Sequence, residues 1–282
     1  MIDPSTGPFL ALLARLRRPR RLLVIGSAHG DKTCSLALGA RPHKTEIHII
    51  ELHAERAGAT ADALAQAGLA GAVDIWQGDA REIIPSLEGP FDLALLDAEP
   101  EDHEAYFHQL QRKLSHGALL LAAGADTHRA QLGAYLAARA ADPRWLTVTL
   151  PVGRGIEVSY RLRRERPAIP DPLARLLFIL AAASSPNRIR LVGPEAERHR
   201  TILSPAVAEL GAGAPLLTTP ELPASLQGSF ALLSPGIPQQ DLPTLDSTTT
   251  IVLLEPTPND TLHDTATVPI GDTQLTLIAA HA

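Results

Sequence analysis

Between Arg21 and Arg161, short runs of valine, isoleucine and leucine alternate with longer alanine-rich stretches. Runs that are apolar throughout, rather than every second residue, belong to strands covered on both faces, and helical crossovers between them supply the cover. Arg21 to Ile25, Glu46 to Glu51, Val73 to Trp76, Phe91 to Leu96 and Ala118 to Ala122 are predicted strands. Helices are expected through Cys34 to Leu38, from Ala54 to Gly68, near Arg81 to Leu87, from about Asp102 to Leu114, and near Arg129 to Ala140. Paired strands around Leu146 to Leu150 and Ile156 to Arg161 close the series, and a leading helix is expected before it, with helix-start residues Asp3-Pro4-Ser5-Thr6 and apolar spacing from Phe9 to Leu16. The predicted class is α/β, a doubly wound and mostly parallel sheet.

The chain is long enough for two such cores. Its 282 residues divide at the charged, proline-rich stretch Arg163 to Pro170, giving expected domains 1–165 and 166–282, and lysine is absent beyond Pro167. Sliding the sequence by 189 − 47 = 142 positions lays Ile189-Arg190-Leu191-Val192 on Ile47-His48-Ile49-Ile50 and Ala196-Glu197-Arg198 on Ala54-Glu55-Arg56. Ser225 to Phe230 matches Ser86 to Phe91 in the same order. The second domain is therefore expected to be a smaller, degenerate α/β repeat without the first strand and its glycine turn. Gly193-Pro194 falls where Glu51-Leu52 sits in that register, so the second copy is expected to be structural.

Charge and cysteine content exclude some functions. A net charge of −6, from 31 acidic and 25 basic residues, provides no global field for nucleic acid or an anionic membrane. No apolar run approaches the roughly 20 residues of a membrane span. One cysteine, Cys34, permits no intrachain disulfide, as suits a reducing, cytoplasmic setting.

Chemistry-bearing residues gather at predicted strand ends. Gly26-Ser27-Ala28-His29-Gly30 follows the first strand, and Glu51 ends the second, 51 − 26 = 25 residues on. A glycine turn and an acid at about that spacing suit a nucleotide whose ribose the acid holds. Gly78-Asp79-Ala80 follows the third strand, where Asp79 fits an adenine contact or a helix N-cap equally. Asp97 ends the fourth. As general bases, His29, His103 and His108 are candidates, with His103 and His108 better explained as solvated positions on a helix.

With Gly68-Leu69-Ala70, the run Gly89 to Ala98 and the terminal Leu150-Pro151-Val152-Gly153-Arg154-Gly155, these motifs resemble the class I S-adenosylmethionine-dependent methyltransferases. The likeness is to the small-molecule O-methyltransferase branch that includes catechol and caffeoyl-CoA enzymes, and it covers about half the chain. It implies a Rossmann-like fold with S-adenosylmethionine as cofactor. Gly26 and Gly30 are then expected around its methionine end, Glu51 on its ribose, and Asp79 and Ala80 against its adenine, with Ser27 and Asp97 also expected among the cofactor-binding residues. Metal-dependent members continue their fourth strand as Asp-Ala-Asp-Lys and end the fifth in Asp-Asn. Here the chain reads Asp97-Ala98-Glu99-Pro100 and Ala123-Gly124. The resemblance thus implies metal-independent methyl transfer to a small-molecule acceptor, by a homodimer or an intrachain pseudo-dimer. The alternative is an inactive pseudo-methyltransferase that binds the cofactor or serves as a scaffold.

Overall fold

The computed structural model describes residues 5–28, 30–164, 167–186, 188–193, 196–210, 215–219, 221, 223–225, 229–233, 250–253, 265–270 and 273–279. His29, Pro194 and residues 226–228, named above, lie outside these. The chain folds as two units, Met1–Arg166 and Pro167–Ala282.

The first unit opens with α1 (Thr6–Arg17), β1 (Arg21–Ile25), α2 (Asp31–Ala40), β2 (Glu46–Glu51), α3 (Ala54–Gln66) and β3 (Val73–Gln77). It continues with α4 (Ala80–Ile83), β4 (Phe91–Leu96), α5 (His103–Leu110), β5 (Leu114–Ala123), α6 (Gly133–Ala141), β6 (Trp145–Leu150) and β7 (Ile156–Arg161). Its seven strands run in the order β3-β2-β1-β4-β5-β7-β6. The pairs from β3 to β5 are parallel, while β7 is antiparallel to both β5 and β6. Leu22, Leu23, Val24 and Ile25 are all at most 2% exposed, which is why β1 reads as uninterrupted apolar sequence. Around it, Leu23, Ile50, Phe91, Leu96, Phe107, Leu120 and Trp145 belong to one buried core.

Register sets up the site. Ile25 is level with Ile50 on one side and Leu96 on the other, so the chain leaves β1, β2 and β4 at one height, through Gly26, Glu51 and Asp97. The sequence order reverses between β1 and β4, the place where an open α/β sheet leaves a crevice at its carboxyl edge.

Three element bounds depart from expectation. The helix after Asp79 is a single α-turn continued by a 3-10 turn over Ile84–Ser86, because Pro85 removes a backbone donor. α5 stops at Leu110, and β5 starts at Leu114, four residues before its apolar run, where the pairing with β4 shifts register between Phe91 and Leu93. α6 begins at Gly133, because residues 124–128 are committed to a loop bonded across to the β6–β7 connection.

The second unit holds α7 (Pro172–Ser184), β8 (Arg188–Val192), α8 (Ala196–Leu210), β9 (Leu216–Thr219), β10 (Ser229–Leu233), β11 (Thr250–Leu253), β12 (Thr265–Ile270) and β13 (Thr273–Ala279). Its sheet runs β12-β13-β11-β10-β8-β9, with β9, β8, β10 and β11 parallel. The slide by 142 positions sets β8 on β2 and expects no glycine turn. Gly193 instead ends β8 with φ 103°, its N–H donating to the Thr219 carbonyl at the end of β9 (3.0 Å). Gly26, φ 77°, likewise ends β1 and donates to the Ile50 carbonyl in β2 (2.8 Å). Short apolar strands are nearly interchangeable in sequence, so the slide had little to fix its register. Among the described residues, no helix is long and apolar enough to cross a membrane.

Candidate active site

Glu51 is the anchor of the crevice. It is 2% exposed, and its Oε2 accepts both the Ser27 amide (2.7 Å) and the Ser27 hydroxyl (2.9 Å), while Oε1 accepts the His53 amide (3.1 Å). Burial raises this carboxyl, but the Ser27 and His53 amides, the Ser27 hydroxyl and Arg56 together hold it below the usual carboxylate range. It is therefore a fixed anion with lone pairs to spare, tying β2 to the turn after β1.

That turn approaches the end of β4 closely. A Cβ on Gly26 would stand 2.6 Å from the Asp97 carbonyl oxygen and from the Ala98 amide, so only glycine leaves this space open. Gly30, bonded through its amide to the Ser27 carbonyl (2.7 Å), caps α2.

Beside the turn, an open cleft of about 690 Å³ is lined by Ser27, Ala28, Lys32, Asp97, His128 and Arg154 among others. Of the residues expected from sequence, Ser27 and Asp97 line it, while Gly26 and Glu51 lie next to its lining through the contacts just given. Asp79 and Ala80 are not among its lining residues. Asp79 caps α4, its Oδ1 accepting the Arg81 amide (2.8 Å), and its carboxylate also pairs with the Arg81 guanidinium at 2.7 Å. Arg81 thereby holds the Asp79 carboxyl below the usual range. Ala80 is packed in the core.

Asp97 has a partner that sequence reasoning missed. The Lys32 ammonium donates to both of its oxygens, at 2.8 and 2.9 Å. Burial nevertheless pushes the Asp97 carboxyl above its ordinary range, against the pull of Lys32. Lys32 lies two residues past Gly30 in the first turn of α2, a place where lysine reads as solvated, and no local signal distinguishes it.

Arg56 stands 3.9 Å from Glu99 across the same cleft. On the far side, an Arg154 Nη2–H donates to His128 Nε2 at 2.9 Å. His128 also escaped notice, because it sits in a polar segment without pattern.

The other histidines divide. His108 is exposed, 3.8 Å from Glu104, as expected. His103 is not the solvated residue expected. It is completely buried, with Nε2 3.3 Å from the Ala98 carbonyl oxygen and its ring edge-on to Tyr135.

The donor set does not suit a divalent cation. Asp97 is occupied by an ammonium, Ala123 and Gly124 offer no side-chain oxygen, and among the described residues no three His, Cys, Asp or Glu side chains cluster as ligands.

Comparison with known proteins agrees with this geometry. Residues 23–122 match a family model described as a methyltransferase domain. Catechol O-methyltransferase of Mycobacterium tuberculosis (strain ATCC 25618 / H37Rv) is 35% identical over 121 residues, covering 43% of this chain and 54% of that protein. Catechol O-methyltransferase of Niastella koreensis is 31% identical over 125 residues, with 43% and 56% covered. The chain thus spans about half the length of these curated relatives. Among solved structures, the O-methyltransferase TomG from Streptomyces achromogenes in complex with SAM superposes with a TM-score of 0.52 at 27% identity, over 57% of this chain and 81% of that one. Cofactor-bound Rv0187 from MTB superposes with a TM-score of 0.53 at 28% identity, over the same shares. Sheet order, crevice and matched segment agree: residues 23–122 match a methyltransferase domain, and the first unit is similar in fold and sequence to O-methyltransferases.

Proposed function

We propose that the first unit transfers a methyl group from S-adenosylmethionine to a hydroxyl of a small molecule without a metal ion. The observation that carries this reading is Glu51, an ionised carboxylate fixed by Ser27 beside a turn that only glycine leaves open. Its free lone pairs suit the two vicinal hydroxyls of a ribose. When bound, the cofactor supplies an electrophilic methyl on a sulfonium. An acceptor hydroxyl held at Asp97 gives its proton to that carboxylate, which burial makes more basic than usual. Lys32 then faces the oxyanion as its counter-charge. The acceptor oxygen would take the methyl from the bound sulfonium, whose sulfur would keep the bonding electron pair. Lys32 takes the part that a divalent cation plays elsewhere, and this pairing favours a working enzyme over an inactive scaffold.

Calorimetric titration of the full chain with S-adenosylhomocysteine tests the reading. Wild type is expected to bind, and Glu51→Ala to bind about 10–100-fold more weakly, the worth of hydrogen bonds to a charged group. Catechol methylation is expected to survive excess EDTA. No binding at millimolar concentration overturns the proposal, and loss of turnover in EDTA overturns its metal-free part.

The second unit we read as a copy of the same plan, offset by 193 − 26 = 167 residues rather than 142. Three features support this offset. α1 and α7 both end in a left-handed residue, Arg18 (φ 49°) and Ser185 (φ 44°), each followed by proline and a strand. Both strands end in a left-handed glycine. α7 packs on α8 as α1 packs on α2. In this offset β8 answers β1, and the sheet order is that of the first unit with β3 left out.

A further inference from the structure

The loop after β5 and the loop between β6 and β7 are sewn together at the carboxyl edge of the sheet. Gly124 and Ala125 donate their amides to the Gly155 carbonyl (2.8 and 3.0 Å), and Asp126 donates to the Arg154 carbonyl (3.2 Å). The His128 amide returns to the Gly124 carbonyl (2.8 Å). These bonds set Arg154 and His128 side by side with little freedom. The imidazole lies against Gly124, where an added Cβ would meet its Cδ2 at 2.9 Å.

Of the three Lys and Arg side chains that line the cleft beside the acids Asp31, Asp97 and Glu99, two stand within ion-pair distance of a carboxylate and Arg154 does not, although its charge is felt at Asp97. Lys32 is matched by Asp97, and Arg56 stands 3.9 Å from Glu99. Among the described residues, no carboxylate lies within ion-pair distance of Arg154. The partner it does have, His128 Nε2, accepts a hydrogen bond and brings no negative charge. Arg154 also stands away from the glycine turn. β1 and β5 are two strand spacings apart, about 10 Å, with β7 one further, so Arg154 faces the half of the cleft opposite Glu51.

We propose that the methyl acceptor carries a carboxylate next to its reacting ring or chain, and that Arg154, positioned by His128, receives it. The inference rests on the methyltransferase reading and adds the chemical class of its substrate, a small hydroxylated acid. Guanidinium suits a planar carboxylate because it offers two parallel N–H donors. Arg154 determines specificity, and His128 is a positioning residue that acts through it.

The test uses the full chain saturated with S-adenosylhomocysteine, titrated calorimetrically with 3,4-dihydroxybenzoate and with uncharged 4-methylcatechol. Wild type is expected to bind the benzoate at least about tenfold more tightly, as one charge-assisted contact implies. Arg154→Met is expected to abolish that preference while leaving S-adenosylhomocysteine affinity unchanged, and Arg154→Lys to restore part of it. His128→Gln, whose carbonyl still accepts from the guanidinium, is expected to keep the preference that His128→Leu loses. The proposal is overturned if wild type shows no preference. It is also overturned if Arg154→Met weakens S-adenosylhomocysteine binding and spares the preference, which would assign Arg154 to the cofactor's own carboxylate. Failure of wild type to bind S-adenosylhomocysteine at all instead removes the underlying methyltransferase reading, and this proposal with it.

Discussion

His103 shows how burial turns one side chain into a pH sensor of stability. It is fully enclosed at the start of α5, and its Nδ1 has no hydrogen-bond partner among the described residues. Burial pushes its pKa down from 6.5 to about 4, because the charged ring would lose its hydration. The unfolded chain therefore binds a proton that the folded one resists. Stability from this residue is complete above pH 6.5 and is lost as pH falls toward about 4. A shift of this size corresponds to an effect on the order of 3 kcal/mol. Urea unfolding at pH 7 and pH 5 should show a clear loss for wild type and a smaller one for His103→Phe; equal losses would refute the assignment. At this scale the sequence was partly legible. Glu51 and Asp97 were found because the ends of apolar runs are easy to locate. Asp79 occupied a strand end too, but an N-cap and a ligand contact use the same residue type at the same place. Lys32, His128 and Arg154 matter through partners 65 and 26 residues away, which no local pattern encodes.

Pairs of elements carry their own liabilities, and one is the ion pair between α6 and β7. Arg139 of α6 is completely buried, its guanidinium 3.8 Å from the Trp145 ring centroid and 4.4 Å from that of Phe107. Its Nε lies 3.8 Å from Glu157 Oε1 on β7, an oxygen that also accepts the Ser159 hydroxyl at 2.7 Å. Burial lowers the Arg139 pKa and raises that of Glu157, against their mutual attraction. Neither ion is fully hydrogen-bonded, so the pair tolerates the loss of both charges better than the loss of one. Arg139→Met alone should cost about 3–5 kcal/mol by leaving Glu157 uncompensated, while Arg139→Met with Glu157→Leu should recover most of it. Urea denaturation of the two variants decides: a double variant no more stable than the single one refutes this account. Sequence located α6 and β7 as elements because their apolar spacing is regular, yet it gave no warning of two opposite charges facing inward. Such pairing depends on how helix and strand are set against each other. The early start of β5 was hidden in the same way, since Ser115-His116-Gly117 has no strand character and lies in the irregular stretch between the pairing of Leu114 with Phe91 and that of Leu119 with Leu93.

For the whole chain, the two units offer a division of labour that can be tested at corresponding glycines. Both Gly26 and Gly193 end the first strand of their unit with positive φ, so alanine at either position strains the backbone by roughly 1–2 kcal/mol. Only at Gly26 does the structure give a further consequence, because a Cβ there meets the backbone of Asp97 and Ala98 at 2.6 Å. These are backbone atoms and cannot swing aside, so the ends of β1 and β4 must part and the ligand crevice must change shape. In the proposed 167-residue offset, Glu51 falls on 51 + 167 = 218, which is Thr218, and the next residue is Thr219, so β9 ends in two threonines where β2 ends in an acid. Gly26→Ala should therefore abolish S-adenosylhomocysteine binding measured by calorimetry. Gly193→Ala should lower the thermal unfolding temperature of the chain while leaving that affinity within about twofold, a difference below roughly 0.4 kcal/mol. Loss of binding in Gly193→Ala at a temperature where the variant remains folded would mean that the second unit takes part in the ligand site. Unchanged binding in Gly26→Ala would mean that the crevice between β1 and β4 is not where the cofactor lies.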